Sequence, residues 1–307
     1  MPEPGDAGVR RPPSLPTTAL PGLFRAADEA SLGGQARYLR ASRLRLALLV
    51  VAGICGVFSV HVTPVSFDVA ALAAAVALVG AALVEVWLLA EHPEQTWYDG
   101  RALAESAKTL AWRFAVAAAP FAKQGDEGGV ERAFISQLRQ LLDDAPKTTI
   151  GASAGPAVSE AMRVLRQSTF EIRKKTYLDE RITDQQEWYS RKAGWNASRA
   201  QRWTIGLVMT ELLGVVAAIF RGLGAINVDL AGVAATMVGT GVAWLSIKQH
   251  YSLSRAYAFA ANELNIVCSD LRLVDDEKVW ATAVADAEEA ISREHTMWRA
   301  SRSALRP

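Results

Sequence analysis

The sequence predicts an all-α membrane protein: four transmembrane helices paired as two hairpins, with long cytoplasmic helices forming a bundle. Three observations carry that expectation. Mean hydropathy is positive although 21% of the residues are charged, so apolar residues must be concentrated in parts of the chain. Four stretches without Lys or Arg come close to or exceed the roughly 20 apolar helical residues that cross a hydrocarbon core. Outside them the chain is rich in Ala, Glu, Gln, Lys and Arg and lacks strand alternation, a composition of polar helices. The rival reading is two buried hairpins in a soluble protein, but soluble core helices keep a charged face that these runs lack.

Residues 1–23 hold six of the twelve prolines and no apolar core. They are expected to form a disordered cytoplasmic tail rather than a signal peptide. Residues 24–145 form a first unit, with Arg37, Arg40, Arg43 and Arg45 ahead of a span at 46–62, a short link "TPVSFD", and a second span at 69–90. A helix over Trp97–Ala119 follows, with Leu103, Ala107, Leu110 and Phe114 spaced by three and four, then a short one over Val130–Leu142. Residues 156–300 form a second unit. One helix should start near Pro156, pass over Gly194 and continue into a span at 203–220, and "RGLGAIN" leads to a fourth span at 228–247. The C-terminal helix carries Trp280, Val284, Ala287, Ile291 and Trp298 in a heptad-like, coiled-coil seam. That seam either packs on the protein's own helices or joins subunits, which makes these five candidate assembly residues.

Charge orients the hairpins. The first short loop has no Lys or Arg and the second only Arg221, while the remaining basic residues lie on the other side. The positive-inside rule then puts both termini and the long middle segment of a multi-pass membrane protein in the cytoplasm.

Composition excludes several functions. The formal net charge of +1 gives no general attraction for nucleic acid. Cys55 and Cys268 are far apart, and His61, His92, His250 and His295 are dispersed, so no metal site and no cofactor is expected. No phosphate loop, dinucleotide fingerprint, zinc-protease motif or nucleophile elbow occurs, and no enzymatic role is expected. The carboxylates of the polar helices read as solvated faces.

The candidate functional residues are intramembrane. Glu211 stands near the middle of the third apolar run, where a charge costs at least about 2.5 kcal/mol. It reads either as a protonated glutamic acid that fixes packing with Thr210, Thr236 or Thr240, or as a pore-lining or relay group. Glu85 sits nearer the cytoplasmic end of its span, close enough to snorkel. Small-residue stripes, Ala73–Ala77–Ala81 and Ala231–Ala235–Gly239, allow close helix association in lipid.

The hairpins also resemble each other. After Trp87 comes "LLAEHPEQTWYDGRALAESAK", and after Trp244 comes "LSIKQHYSLSRAYAFAANELN", a parallel repeat of helix, hairpin and helix. "YLDERITDQQEWYSRKAGWNASRAQRW", a hairpin, and "YSLSRAYAFAANEL" together resemble the SLATT superfamily, two-transmembrane effector domains associated with SMODS and SLOG components of bacterial conflict systems. "EQTWYDGRALAESAKTLAWRFAVAAAPF" resembles a second variant of it. The residues carrying the resemblance are Trp97, Tyr98, Arg101, Glu105, Trp188, Tyr189, Tyr257 and Glu263.

The resemblance implies a bacterial inner-membrane effector that forms pores or perturbs the membrane in an antiviral-type response, triggered by a nucleotide-signalling or sensor protein in trans. A pore needs more polar lining than one chain offers, so a homo-oligomer in the bilayer is expected, with several subunits supplying Glu211, Thr236 and Thr240. The alternatives are a membrane-anchored scaffold for a cytoplasmic partner and, more distantly, an ion-coupled transporter.

Overall fold

A computed structural model describes residues 13–58, 61–62, 67–123, 125–145, 150–153 and 155–303. The described chain is almost wholly helical: α1 Gly22–Cys55, α2 Val69–Glu91, α3 Pro93–Ala115, α4 Glu127–Asp143, α5 Glu160–Gln167, α6 Phe170–Tyr177, a π-helical segment Leu178–Thr183, α7 Asp184–Gly222, α8 Leu230–Lys248, α9 His250–Arg272 and α10 Glu277–Ser303. It divides into two compact units. A membrane unit comprises Leu32–Trp97 and Tyr189–Phe259, and a polar unit takes the segments on either side of those.

In the membrane unit α2, α7 and α8 supply three stretches long and apolar enough to cross a bilayer. At about 1.5 Å per residue, α2 and α8 are roughly 34 and 28 Å long, close to the thickness of a hydrocarbon core. α7 runs unbroken through Gly194 into its apolar half. The expected first span at 46–62 is not one helix. α1 ends at Cys55, and His61–Val62 pairs antiparallel with Phe67–Asp68. The cause is local: Gly53 and Gly56 weaken the helix, and the β-branched Val57 and Val62 favour extended backbone.

Glycines set the helix pairings. A Cβ at Gly214 would come 2.9 Å from Cβ of Ala234, and one at Gly53 would come 2.8 Å from Cγ2 of Thr236. One at Gly80 would come 3.2 Å from Leu48. These are the close backbone approaches that small residues permit in lipid, where no hydrophobic force draws helices together. The expected stripes contribute unequally: Ala77 and Ala81 are buried, but Ala73, Ala235 and Gly239 are exposed. Arg221, the stray cation of the second short loop, pairs with Asp229 at 2.6 Å, and Asp229 also caps α8.

The repeat is structural as well as sequential. α2 ends at His92 and α8 at Gln249, both left-handed, and their N–H groups donate to the carbonyls of Leu88 and Leu245. Each is followed at once by a 23-residue helix, α3 or α9.

The polar unit has its own core. Phe114, Phe121 and Phe134 meet with ring centroids 4.7 to 6.0 Å apart, and Trp280 stands edge-on to Phe170 and Tyr177. Two expectations change here. The helix expected from Pro156 into the third span is interrupted at Ser168 and Thr169, both extended. The Ser168 hydroxyl donates to the Val164 carbonyl, the backbone competition that makes adjacent Ser and Thr helix breakers. Disorder over 1–23 does not hold for 13–23. Leu15 and Leu20 are buried, the Leu15 N–H donates to Glu180 at 2.8 Å, and α1 starts at Gly22. Residues 1–12 lie outside the described residues.

Candidate functional site

Only 11%, 6% and 6% of the residues in the three apolar windows are buried by the rest of the chain. Leu72, Val76 and Leu83 on α2 and Leu212, Leu213 and Val216 on α7 are among those more than half or nearly half exposed. Apolar area on this scale is stable only against lipid or another apolar surface.

The intramembrane polar residues sit on that surface. Glu211 is exposed, and among the described residues it makes no hydrogen bond or ion pair. The threonines do not reach it. Thr210 donates to the Gly206 carbonyl, Thr236 to Gly232, and Thr240 to Thr236 and Met237, at 2.9 to 3.0 Å. Each hydroxyl is satisfied on its own helix and not by the carboxyl group of Glu211. Glu85 pairs with Arg45 at 2.9 Å, which cancels both charges at that end of the hairpin.

The polar unit contains a site that the sequence reading missed. Glu288 is fully buried on α10. It accepts from Arg181 Nε at 2.8 Å and Nη2 at 2.7 Å, from the Tyr177 hydroxyl at 3.0 Å and from Thr109 Oγ1 at 2.9 Å. Two side-on Arg bonds give a bidentate pair, the strongest geometry for a carboxylate. Burial works to lower the Arg181 pKa, but the charge and hydrogen bonds of Glu288 overcome it, so the guanidinium stays ionised. Burial, and then the Glu288 charge, push the Tyr177 phenol well above its ordinary value. Further arginines brace the same unit. Arg173 Nη1 donates to the Val116 carbonyl at 2.9 Å and its Nη2 pairs with Glu277, while Arg166 Nη1 donates to the carbonyls of Phe114 and Phe121. Helix ends and loop carbonyls that would otherwise be unsatisfied are thereby paired.

Trp280, Val284, Ala287 and Ile291 line this core and are buried by their own chain. They are therefore not exposed for subunit contact, as assembly residues would be. Trp298 lies outside the residues whose side chains are described. Glu288 shares their stripe, four residues after Val284 and three before Ile291, and that spacing was the available signal. It also corrects the reading of all these carboxylates as solvated.

Two family models match. The model for SMODS and SLOG-associating 2TM effector domain 3 covers residues 21–174, and that for domain 1 covers 177–298. The chain belongs to the SLATT superfamily. No curated protein and no solved structure matches it. The SLATT domains stand in tandem, and their boundary falls at the end of α6.

The compact units do not follow that boundary: each draws segments from both SLATT domains. The residues that carried the resemblance divide accordingly. In the membrane unit Trp97 stacks at a tilt on Tyr38, centroids 6.3 Å apart, and Tyr189 on Tyr257 at 5.6 Å. In the polar unit Arg101 pairs with Glu105 at 2.9 Å, and Tyr98, Trp188 and Glu263 are half-buried. The two aromatic pairs join α3 to α1 and α7 to α9, whereas the Arg101–Glu105 pair lies within α3.

Lys108, on α3 within the electrostatic reach of Glu288 and Arg181, provides a pH test. Burial first, then repulsion by Arg181, lower its pKa, with Glu105 and Glu288 opposing. A lysine with a depressed folded pKa costs stability while protonated. That cost is full below the folded pKa and vanishes as pH rises through the unfolded value of about 10.4. Lys108→Met is therefore expected to raise the unfolding midpoint at pH 7, with the gain over wild type shrinking to nothing by about pH 10.4 in parallel thermal melts.

Proposed function

We propose that this tandem SLATT protein is an oligomeric effector of the bacterial inner membrane that opens a pore or perturbs the bilayer in a conflict or antiphage-type response. One observation carries the reading: the mid-span carboxyl group of Glu211 lies on the outer surface of a single chain without a partner. A charge at that depth costs about 2.5 to 3.5 kcal/mol on insertion scales. Neighbouring copies would relieve the cost by closing Glu211 into an interface or a water-filled path. The role is non-enzymatic, with lipid and further copies of the chain as principal partners and a nucleotide-signalling or sensor protein in trans as trigger.

In this reading both termini and the polar unit are cytoplasmic, and α1 provides a fourth crossing. Its apolar end, Leu46–Cys55, lies beside α2 through the Arg45–Glu85 pair and the Leu48–Gly80 contact. The test is release of entrapped ions and dye from liposomes holding purified protein. Leak that rises with the number of copies per vesicle is expected. Intact vesicles at every protein density, with insertion verified, would contradict the proposal.

The scaffold reading draws on a different surface. Ile266, Leu273 and Val279 of the polar unit are 65%, 81% and 56% exposed, apolar side chains that a cytoplasmic protein could cover. In that case membranes stay tight and substitutions at Leu273 and Val279 abolish partner capture.

A further inference from the structure

α7 crosses from polar to apolar sequence at Arg199, Arg202 and Trp203. Arg199 and Arg202 are three apart and share a helix face, as neighbours at that spacing do. Beside them opens a groove of about 310 Å³, lined by these two arginines, Trp203, Gly206, Leu207, Thr210 and, from α8, Met237. From Arg199 to Thr210 it runs about 16 Å along the helix, which is the depth of one leaflet. Its mouth is cationic and its floor apolar. Thr210, the polar group at its deep end, is already satisfied by the Gly206 carbonyl.

More positive charge gathers near the mouth. Arg43 and Lys248 both lie over the Trp244 ring system, 5.1 and 5.7 Å from its centroid, and the charges of Arg43 and Arg199 both act on Lys248. Among the described residues none of Arg43, Arg199, Arg202 and Lys248 has a carboxylate partner. This contrasts with Arg45 and Arg221, the other cations of the hairpins, which are paired with Glu85 and Asp229.

We propose that the groove is a binding site for one anionic phospholipid, its phosphate held by Arg199 and Arg202 and one acyl chain lying along Gly206, Leu207, Thr210 and Met237. Guanidinium groups match phosphate oxygens in pairs. The absence of an acidic group at the mouth leaves a choline or ethanolamine ammonium without a partner, so the surplus positive charge selects a net negative headgroup. The site requires insertion in a membrane but no pore.

The test is native mass spectrometry of full-length protein released from bilayers of equal phosphatidylglycerol and phosphatidylcholine. Wild type is expected to carry one phosphatidylglycerol in clear excess over phosphatidylcholine. Arg199→Gln with Arg202→Gln should cut that occupancy roughly 30-fold, about fivefold for each surface cation. Gly206→Leu provides an independent variant, because a Cβ there meets nothing within 4 Å and the side chain fills the groove without disturbing the helix pair. It should displace the lipid with every cation retained. Equal retention of both lipids by wild type would overturn the proposal, as would phosphatidylglycerol bound undiminished in Gly206→Leu. Displacement of the lipid by millimolar glycerol phosphate would also overturn it, because the site would then serve a water-borne anion. All four measurements are made without reference to vesicle leak, so failure of the pore reading leaves them intact.

Discussion

Glu288→Ala is expected to destabilise the polar unit by about 3–5 kcal/mol, the cost of stranding one member of a buried ion pair. Arg181 would lose the charge and hydrogen bonds that offset its burial, and a guanidinium, which does not deprotonate near neutral pH, would be left in a fully buried site without its carboxylate. Tyr177 and Thr109 would lose their acceptor as well. At the size of this unit that penalty lowers the thermal midpoint by roughly 10 °C. Replacing both members by apolar side chains, Arg181→Met with Glu288→Leu, should restore most of the loss, since a well-packed apolar pair often equals a buried salt bridge. Thermal melts of the detergent-solubilised full chain separate the cases. A double substitution no better than Glu288→Ala alone would show that the node contributes shape rather than charge.

The second large effect concerns Glu211. Glu211→Leu removes the cost of a lipid-facing carboxyl group and with it the demand for a neighbour. It should insert normally, associate more weakly and reduce liposome leak at least tenfold, a change of about 1.4 kcal/mol per subunit contact. Glu211→Gln keeps hydrogen-bonding capacity, so it should hold the oligomer while weakening any preference for cations. Unchanged leak and unchanged assembly in Glu211→Leu would remove Glu211 from the mechanism and favour the scaffold.

The spans of α2, α7 and α8 were legible because length and unbroken hydrophobicity are local properties of the chain. So was the continuity of α7 over Gly194. The end of α1 was not, because hydropathy treats Val57, Phe58 and Val62 alike whether helical or extended, and only their β-branched pattern hinted at the change. The break at Ser168 was written in two adjacent hydroxyl residues but looks identical to a tolerated pair inside a helix. Arg166, Arg173 and Arg181 stand in polar helical sequence that gives no sign of their burial. Their burial depends on Glu127, Glu277 and Glu288, at sequence separations of 39 to 107 residues that no local pattern reports. The interleaving of the two SLATT domains is a long-range property of the same kind.

Lipid as the solvent of α2, α7 and α8 is the claim on which everything else stands, and it is tested most directly by carbene labelling from a photoactivatable group placed deep in the acyl chains of a reconstituted bilayer. The account predicts adducts concentrated at exposed positions such as Leu72, Val76, Leu83, Leu213 and Val216, with the buried Ala77 and Ala81 spared. Labelling of those helices no denser than that of α4 would contradict it.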